Sequence, residues 1–117
     1  MSDIKIWHNP RCGKSRDGVK IVEESKYNAQ IVKYLEETPD AAEIKETLKM
    51  LGVSARELMR TKEAIYKELN LKAETNEEKL IQAMAENPKL IERPVLFKDD
   101  KAIIGRPSSV IEDFLNS

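Results

Sequence analysis

The chain has few of the residues that metal and disulfide chemistry require. Among its 117 residues there is one cysteine, Cys12, and one histidine, His8. A single thiol excludes an internal disulfide, and one Cys with one His cannot supply the ligands of a closed zinc site. Redox chemistry therefore needs a second thiol from outside the chain, and we expect no bound metal.

Long apolar runs and a surplus of charge of either sign are also missing. Apolar runs extend over only a few residues, far short of the ~18 that a membrane helix needs, and Met1 to Trp7 have no signal-peptide core. We therefore expect a cytoplasmic protein with no membrane contact. Lys and Arg number 20 against 21 Asp and Glu, a balance that does not favour nucleic acid as a partner. Nothing in the pattern indicates a large apolar interface, so we expect a monomer.

What is present is an alternation of short strands and helices. Strand-like runs cover Ile4 to Trp7 and Ile31 to Leu35, and a helical pattern from about Lys14 to Ser25 lies between them, which predicts a βαβ unit. Apolar runs at 94–97 and 102–104 predict a β-hairpin, and Pro107 is predicted to open a last helix.

The region from about 38 to 90 is predicted to be helical. Four residues are predicted to cap helix N-termini: Thr38, Ser54, Thr61 and Thr75. Gly52 is predicted to end the first of these helices. A chain of this length accommodates one compact domain. We therefore predict a single domain over 1–117, with the helical region inserted between a βαβ half and a ββα half.

The segment from His8 to Arg16 joins the first strand to the first helix and contains Cys12. Backbone N–H groups at a helix start carry partial positive charge, so they stabilise a thiolate and can also hold a tetrahedral oxyanion. Ser15 can donate a hydrogen bond to the sulfur. The polar and basic neighbours are unsuited to a core position, so we interpret Cys12 as a nucleophile rather than a structural cysteine. For His8, an ordinary strand-end position and a role in tuning the thiol both remain open.

Three other motifs with similar residues are excluded. A phosphate-binding P-loop would need glycine at His8. A tyrosine-phosphatase loop would need arginine at Gly18. A Cys-x-x-Cys redox motif would need cysteine at Ser15.

The segment His8-Asn9-Pro10-Arg11-Cys12-Gly13-Lys14-Ser15-Arg16 resembles the opening signature of the ArsC-type arsenate reductases, the class linked to glutaredoxin. The resemblance continues in order through four further motifs: Tyr34-Leu35-Glu36, Arg56-Glu57-Leu58-Met59-Arg60, Ile91-Glu92-Arg93-Pro94 and Gly105-Arg106-Pro107-Ser108. It implies an α/β, thioredoxin-like fold, in which the two halves surround a four-stranded mixed sheet. It also implies a cis peptide bond before Pro94.

The resemblance assigns roles to single residues that composition and spacing do not select. Six residues match functional positions of the family: the nucleophile Cys12, the oxyanion-binding Arg60, Arg93 and Arg106, and the thiolate-tuning His8 and Ser15. Guanidinium groups suit this role because they stay charged and bind a tetrahedral oxyanion at two points.

The function that the resemblance implies is reduction of arsenate to arsenite. Cys12 would form an adduct with arsenic, glutathione as co-substrate and glutaredoxin as partner would resolve it, and no cofactor would be tightly bound. The single cysteine agrees with an external resolving thiol. Two alternatives stay open: a general glutathione-linked thiol oxidoreductase, and a non-enzymatic, Spx-like regulator that binds RNA polymerase. Spx-type proteins usually carry a Cys-x-x-Cys switch, whose second position is Ser15 here.

Overall fold

The computed structural model describes residues 3–106 and 109–116. Its backbone contacts divide the chain into two compact units, one from the described parts of Met1–Glu37 and Arg93–Ser117 and the other from Thr38–Glu92. Every helix of the second unit falls in the region predicted to be a helical insertion. The organisation of the whole chain as a single domain stays a prediction.

The helices and strands are short and follow the predicted order. In chain order they are β1 (Asp3–Trp7), α1 (Gly13–Glu23), β2 (Asn28–Val32), α2 (Ala41–Leu51), α3 (Ala55–Leu58), α4 (Ala64–Glu68), α5 (Glu77–Glu86), β3 (Val95–Lys98), β4 (Lys101–Ile104) and α6 (Ser109–Leu115), with 3₁₀ turns at Leu71–Ala73 and Pro88–Leu90. None of these helices is both long and apolar enough to cross a lipid bilayer. Pro107, predicted to open the last helix, lies outside the described residues, as does Ser108.

The first unit is built on a four-stranded mixed sheet in the order β2-β1-β3-β4. β1 and β2 run parallel with Ile6 opposite Ile31, and α1 connects them. β3 runs antiparallel to both β1 and β4. The βαβ unit, the hairpin and the thioredoxin-like sheet are therefore confirmed. The hairpin turns at Asp99, whose φ of 56° lies in the left-handed region that aspartate tolerates.

One face of this sheet forms the core of the first unit. Alternate side chains of a strand point to the same face, so Ile4 and Ile6 both face the helices. Seven buried residues from β1, β3, α1 and α6 pack together there: Ile4, Ile6, Val22, Leu96, Ile111, Phe114 and Leu115. On the opposite face the Trp7 ring lies edge-on to Phe97, with ring centroids 5.1 Å apart. Burial is greatest in the central strands: every residue of β3 is buried, whereas β2 has no buried residue.

The second strand begins and ends three residues earlier than the sequence predicts. The prediction placed it at Ile31 to Leu35, whereas β2 covers Asn28–Val32. The chain turns at Lys33, whose carbonyl accepts hydrogen bonds from the N–H groups of Glu36 and Glu37. Tyr34 lies beyond the end of β2, and its aromatic ring stacks on Trp7.

Three predicted helix caps in the second unit are wrong by one or two residues. The caps are Asp40 rather than Thr38, Glu63 rather than Thr61, and Asn76 rather than Thr75. The side chains of Asp40 and Asn76 accept hydrogen bonds from the N–H groups three residues later, at 2.8 and 3.2 Å. A carboxylate or amide oxygen three residues before a free N–H group satisfies it better than the neighbouring threonine.

Two other helix boundaries were predicted correctly, but only one through the predicted contact. Gly52 has φ 70° and ends α2 by donating its N–H to the Leu48 carbonyl. Ser54 is the N-cap of α3, although its hydroxyl lies 3.3 Å from the Glu57 carboxylate and no reciprocal capping box forms. The N–H of Ala55 instead donates to Glu77, at the start of α5.

Arg56 connects α3 to α4 and to the segment between α4 and α5. Its guanidinium donates to the Tyr66 hydroxyl and to the carbonyls of Leu71 and Glu74. The sequence predicted no structural role for this arginine. Its partners lie ten to eighteen residues away along the chain, so no short-range pattern indicates them.

Candidate active site

Three segments of the first unit meet at one edge of the sheet, where β1 ends, β3 begins and β4 ends. Trp7, the last residue of β1, pairs with Val95, and Val95 pairs with Ile104. The Gly105 N–H donates to the Pro94 carbonyl at 2.8 Å, which continues the pairing one residue beyond the strands. The peptide bond between Arg93 and Pro94 is cis, as the resemblance implies.

This register places sequence-distant residues of the predicted site at a common edge. The Cys12 loop follows β1, Arg93 precedes β3, and Arg106 follows β4. His8 lies in the Cys12 loop and Ser15 lies at the start of α1. The described residues thus bring together five of the six predicted positions: His8, Cys12, Ser15, Arg93 and Arg106. Arg60 belongs to the other unit.

The Cys12 loop is held in shape by its own polar groups. The Asn9 carbonyl accepts from the Cys12 N–H at 3.0 Å, and the Asn9 side chain accepts from the Arg11 N–H at 3.0 Å. From the first turn of α1, Arg16 reaches back and donates Nη1 to the Pro10 carbonyl at 3.0 Å. An Asn-Pro dipeptide is a turn signal, so the sequence indicates a turn here but not these hydrogen bonds.

The thiol of Cys12 lies at the N-cap of α1 and is partly exposed. Burial raises its pKa, but this effect is outweighed by the Ser15 N–H, the charge and hydrogen bonding of Arg93 and the Lys14 N–H, and the net pKa falls below 9.0. The sulfur forms no cap hydrogen bond of regular geometry. The N–H groups of Lys14 and Ser15 instead lower the pKa as free donors at the helix start, which stabilise negative charge on the sulfur.

The Ser15 hydroxyl forms its hydrogen bonds with His8 and Asn9 rather than with the Cys12 sulfur. It is fully buried, lies 2.7 Å from Nδ1 of His8 and accepts the Asn9 N–H at 2.9 Å. The expected contribution of Ser15 to the thiolate therefore comes from its backbone N–H, not from its side chain. The N–H groups in the first turn of a helix have no partner within the helix, so the Ser15 N–H is free for the sulfur while its side chain contacts His8.

His8 is buried beside the loop, and its surroundings favour the neutral imidazole. Burial lowers the pKa of its imidazole from 6.5, and the charges of Lys33 and Arg16 lower it further, against the opposing effects of Ser15 and Glu23. A neutral His8 adds no positive charge to the thiol. Its imidazole contacts the Ser15 hydroxyl, which it helps to orient.

Arg93 is the cation that acts on the Cys12 thiol. Its side chain is buried, with 8% of its surface exposed, and its charge lowers the pKa of Cys12. In the described part of the chain, its Nε and Nη1 atoms have no hydrogen-bond partner. Burying a charged group without partners is costly, so these two donors point to an anionic ligand.

The two other predicted arginines differ in their surroundings. Arg106 is exposed at the edge of the sheet, with its N–H donated to the Ile104 carbonyl. Arg60 is half-buried in the second unit, beside the pairing of Met59 with Ile91, and its guanidinium forms an ion pair with Glu63. In residues 3–106 and 109–116, no group of three His, Cys, Asp or Glu side chains is arranged to hold a metal ion.

A polarised thiol beside a buried guanidinium with unpaired donors is an arrangement for nucleophilic attack on an oxyanion. A model of the ArsC family matches residues 7–114. The chain belongs to the ArsC family.

Relatives with closely similar sequences support this membership. An uncharacterised Escherichia coli protein, YfgD, is 54% identical over 106 residues, which cover 89% of each chain. A Neisseria meningitidis protein named arsenate reductase is 44% identical over 117 residues, covering 98% of this chain and all of that one. The structure of an arsenate reductase from Vibrio cholerae superposes with a TM-score of 0.92 at 40% identity, over 96% of this chain and 97% of that one.

Within this ArsC-family site, the sequence alone gave little reason to select Arg93. The basic residues next to Cys12 in the chain are Arg11, Lys14 and Arg16, whereas Arg93 is distant from Cys12 in the sequence. The structure adds Arg93 because the antiparallel pairing of β3 with β1 brings the residue before Pro94 to the end of β1.

Proposed function

We propose that this protein is an arsenate reductase that uses Cys12 as its nucleophile. The observation that carries the proposal is the pair of buried, unpartnered donors of Arg93 beside a thiol whose pKa is lowered. The family membership and the relatives named arsenate reductase support the choice of substrate.

The surroundings of Arg93 favour a tetrahedral oxyanion over a neutral substrate. A guanidinium offers its donors in a planar fork that matches two oxygens of one anion. Burial strengthens such a contact because little water screens it. Arsenate offers a net negative charge and several oxygens, so that one pair can bind Arg93 while the backbone donors at the start of α1 bind another.

In the first step the Cys12 thiolate attacks arsenic(V), and an arsenic–oxygen bond breaks to release hydroxide, which leaves as water after protonation. The lowered pKa increases the fraction of Cys12 present as thiolate at a given pH, while the N–H groups of Lys14 and Ser15 stabilise negative charge at the reacting centre. Arsenic keeps its oxidation state in this step.

In the second step an external thiol completes the reduction, because the chain has no second cysteine. Glutathione attacks the adduct and displaces a second oxygen from arsenic. Glutaredoxin then attacks the glutathione sulfur, the sulfur–arsenic bond breaks, and its electron pair stays on arsenic, which becomes arsenic(III). Hydrolysis releases arsenite and frees Cys12, and the two external thiols leave as a disulfide.

Arg106 and Arg60 are proposed to assist in oxyanion binding. Arg106 follows β4 at the same sheet edge as Arg93, so its long side chain starts close to the loop. Arg60 is paired with Glu63, and binding substrate through Arg60 requires its guanidinium to share or leave that carboxylate. We therefore assign a larger part of arsenate binding to Arg93 than to Arg60.

The test is arsenate-dependent oxidation of NADPH, coupled through glutathione, glutaredoxin and glutathione reductase. The wild-type protein is compared with Cys12→Ser, with Arg93→Gln and with Lys67→Gln, an exposed lysine of the second unit that serves as a charge-matched control. We expect turnover in the wild type and the control, no turnover in Cys12→Ser, and a KM for arsenate raised at least about tenfold in Arg93→Gln, the loss of a charged hydrogen-bonding pair.

Two results would contradict the proposal. The first is absence of arsenate turnover by a wild-type protein whose Cys12 still reacts with a thiol probe at neutral pH, which would favour a general glutathione-linked oxidoreductase. The second is unchanged turnover in Cys12→Ser, which would remove the nucleophile from the mechanism.

A further inference from the structure

Glu63 lies at the start of a helix, but its carboxylate binds an arginine instead of the helix. It is the N-cap of α4, and among the described residues its side chain forms no cap hydrogen bond. A capping side chain normally accepts an N–H of the first helical turn. The Glu63 carboxylate instead accepts a hydrogen bond from Nη1 of Arg60 and forms an ion pair with it. It therefore occupies the guanidinium of a residue predicted to bind an oxyanion.

The backbone on either side of this pair is held by hydrogen bonds within the second unit. The Arg60 N–H donates to the Leu90 carbonyl at 2.7 Å, and the Glu63 N–H donates to the Arg60 carbonyl at 3.2 Å. These bonds do not involve the carboxylate or the guanidinium. The two side chains keep 28% and 27% of their surface exposed, so the ion pair is accessible from solvent.

Arg56, four residues earlier in the chain, has partners of a different kind. Its guanidinium donates to the Tyr66 hydroxyl and to two backbone carbonyls, which are neutral groups held by the fold. The partner of Arg60 is a carboxylate, which presents to a guanidinium the same negative charge and pair of oxygens as an external oxyanion. An oxyanion can therefore replace Glu63 on Arg60 without breaking a backbone contact.

We propose that Glu63 is an internal competitor for the oxyanion site: its carboxylate holds Arg60 until a tetrahedral oxyanion replaces it on the guanidinium. This inference rests on the proposed function only for the role of Arg60 in binding the oxyanion. A ligand that needs a free Arg60 binds more weakly in proportion to the fraction of molecules in which Glu63 holds that arginine. Glu63 thus sets the affinity for arsenate without contacting it.

The same exchange favours release of the product. Arsenite is uncharged near neutral pH, so it offers Arg60 no negative charge to pair with. The Glu63 carboxylate can then return to the guanidinium, because a tethered group is present at a high effective concentration. Substrate and product therefore compete with Glu63 on unequal terms.

Binding of arsenate to a protein that cannot react with it tests the proposal. The dissociation constant is measured by titration calorimetry in the Cys12→Ser background, in a zwitterionic buffer at low salt. Three variants are made in this background: Glu63→Gln, Arg60→Gln and the two together. Glutamine keeps the size of the glutamate side chain and removes its charge.

The matched control is Glu68→Gln, which removes the same charge from an exposed position at the other end of α4. We expect Glu63→Gln to lower the dissociation constant about threefold, the scale of a partly exposed ion pair. Arg60→Gln should raise it, and Glu68→Gln should leave it unchanged. In the Arg60→Gln background, Glu63→Gln should have no further effect, because no guanidinium is left to compete for.

The opposite signs separate competition from a structural role. Glu63→Gln and Arg60→Gln break the same ion pair, so a pair that only stabilised the fold would weaken arsenate binding in both variants. The double variant separates competition from simple repulsion, since repulsion between Glu63 and arsenate does not need Arg60.

Four results would overturn the proposal. They are an unchanged or raised dissociation constant in Glu63→Gln, an equal decrease in Glu68→Gln, an equal effect of Glu63→Gln with and without Arg60, and an Arg60→Gln variant that binds arsenate as tightly as its parent. Any of these in a protein whose Cys12 form still reduces arsenate would leave the proposed function standing. The expected pattern in a protein that does not reduce arsenate would refute the proposed function and leave the competition standing.

Discussion

The Ser15 hydroxyl lies 2.7 Å from Nδ1 of His8, on the side of the loop away from solvent. The same oxygen accepts the Asn9 N–H at 2.9 Å, so one buried side chain joins the end of β1, the start of the loop and the first turn of α1. The Ser15 N–H, rather than this hydroxyl, acts on the sulfur. Support of the loop and stabilisation of the thiolate thus use different groups of one residue.

Ser15→Ala should therefore destabilise the protein more than it changes the thiol. Removal of the hydroxyl leaves the Asn9 N–H and His8 Nδ1 without their partner, and we expect the free energy of unfolding to fall by about 1–3 kcal/mol. Urea denaturation measures this loss, with Ser54→Ala, an exposed cap, as a control expected to change by no more than about 0.5 kcal/mol. A thiol pKa raised as far as in Arg93→Gln would contradict the assignment.

Arg93→Gln should raise the pKa of Cys12. The charge of Arg93 and its hydrogen bonding to the sulfur are among the effects that lower this pKa, and glutamine keeps only a neutral donor. The pH dependence of alkylation by iodoacetamide measures the change. The control is Lys20→Gln, which removes a charge from the last turn of α1, the helix that Cys12 caps. Lys20 lies about 12 Å along the helix from Cys12, beyond the screening length of about 10 Å at 0.1 M salt. Equal shifts in the two variants would show that Arg93 has no special position.

The stability of the protein should depend on pH through Cys12. The folded chain holds a thiolate at pH values where the unfolded chain is still a thiol, so the unfolded state binds more protons there and stability rises with pH. The contribution is complete above the unfolded pKa and is lost as pH falls through the lowered folded pKa. The difference in unfolding free energy between wild type and Cys12→Ser should therefore grow as pH rises and become constant above the pKa of the unfolded thiol. A flat or falling difference would contradict the lowered pKa.

Gly105→Ala should destabilise the sheet edge that carries Arg106. A Cβ at Gly105 would lie 2.9 Å from side-chain atoms of Ile111 and Leu96, both fully buried, so the core has to shift. We expect a loss of about 1–3 kcal/mol, the usual cost of overpacking, measured by thermal or urea unfolding. Gly13→Ala is the control, since the nearest atom to its Cβ is Nη2 of Arg16 at 3.7 Å. Equal stability of the two variants would show that Leu96 and Ile111 adapt freely.

Local signals in the sequence located most elements of the fold. Gly52 ends a helix because of its own backbone freedom, and the hairpin turn at Asp99 lies between two apolar runs that pair with each other. Predictions failed where two nearby residues could each cap the same helix, as Thr38 and Asp40 could at the start of α2. They failed also where an aromatic residue outside the sheet, Tyr34, resembled a strand residue.

The sequence by itself determined that Cys12 has no second cysteine to pair with and that it lies between a strand and a helix, because composition and short-range turn chemistry decide both. Only the tertiary structure decided which cation acts on the thiol and what Ser15 does. Arg93 reaches the Cys12 loop through the pairing of β1 with β3, a long-range register that no local pattern encodes. Ser15 is buried by the same packing, which turns its hydroxyl to His8 and leaves its backbone N–H for the sulfur.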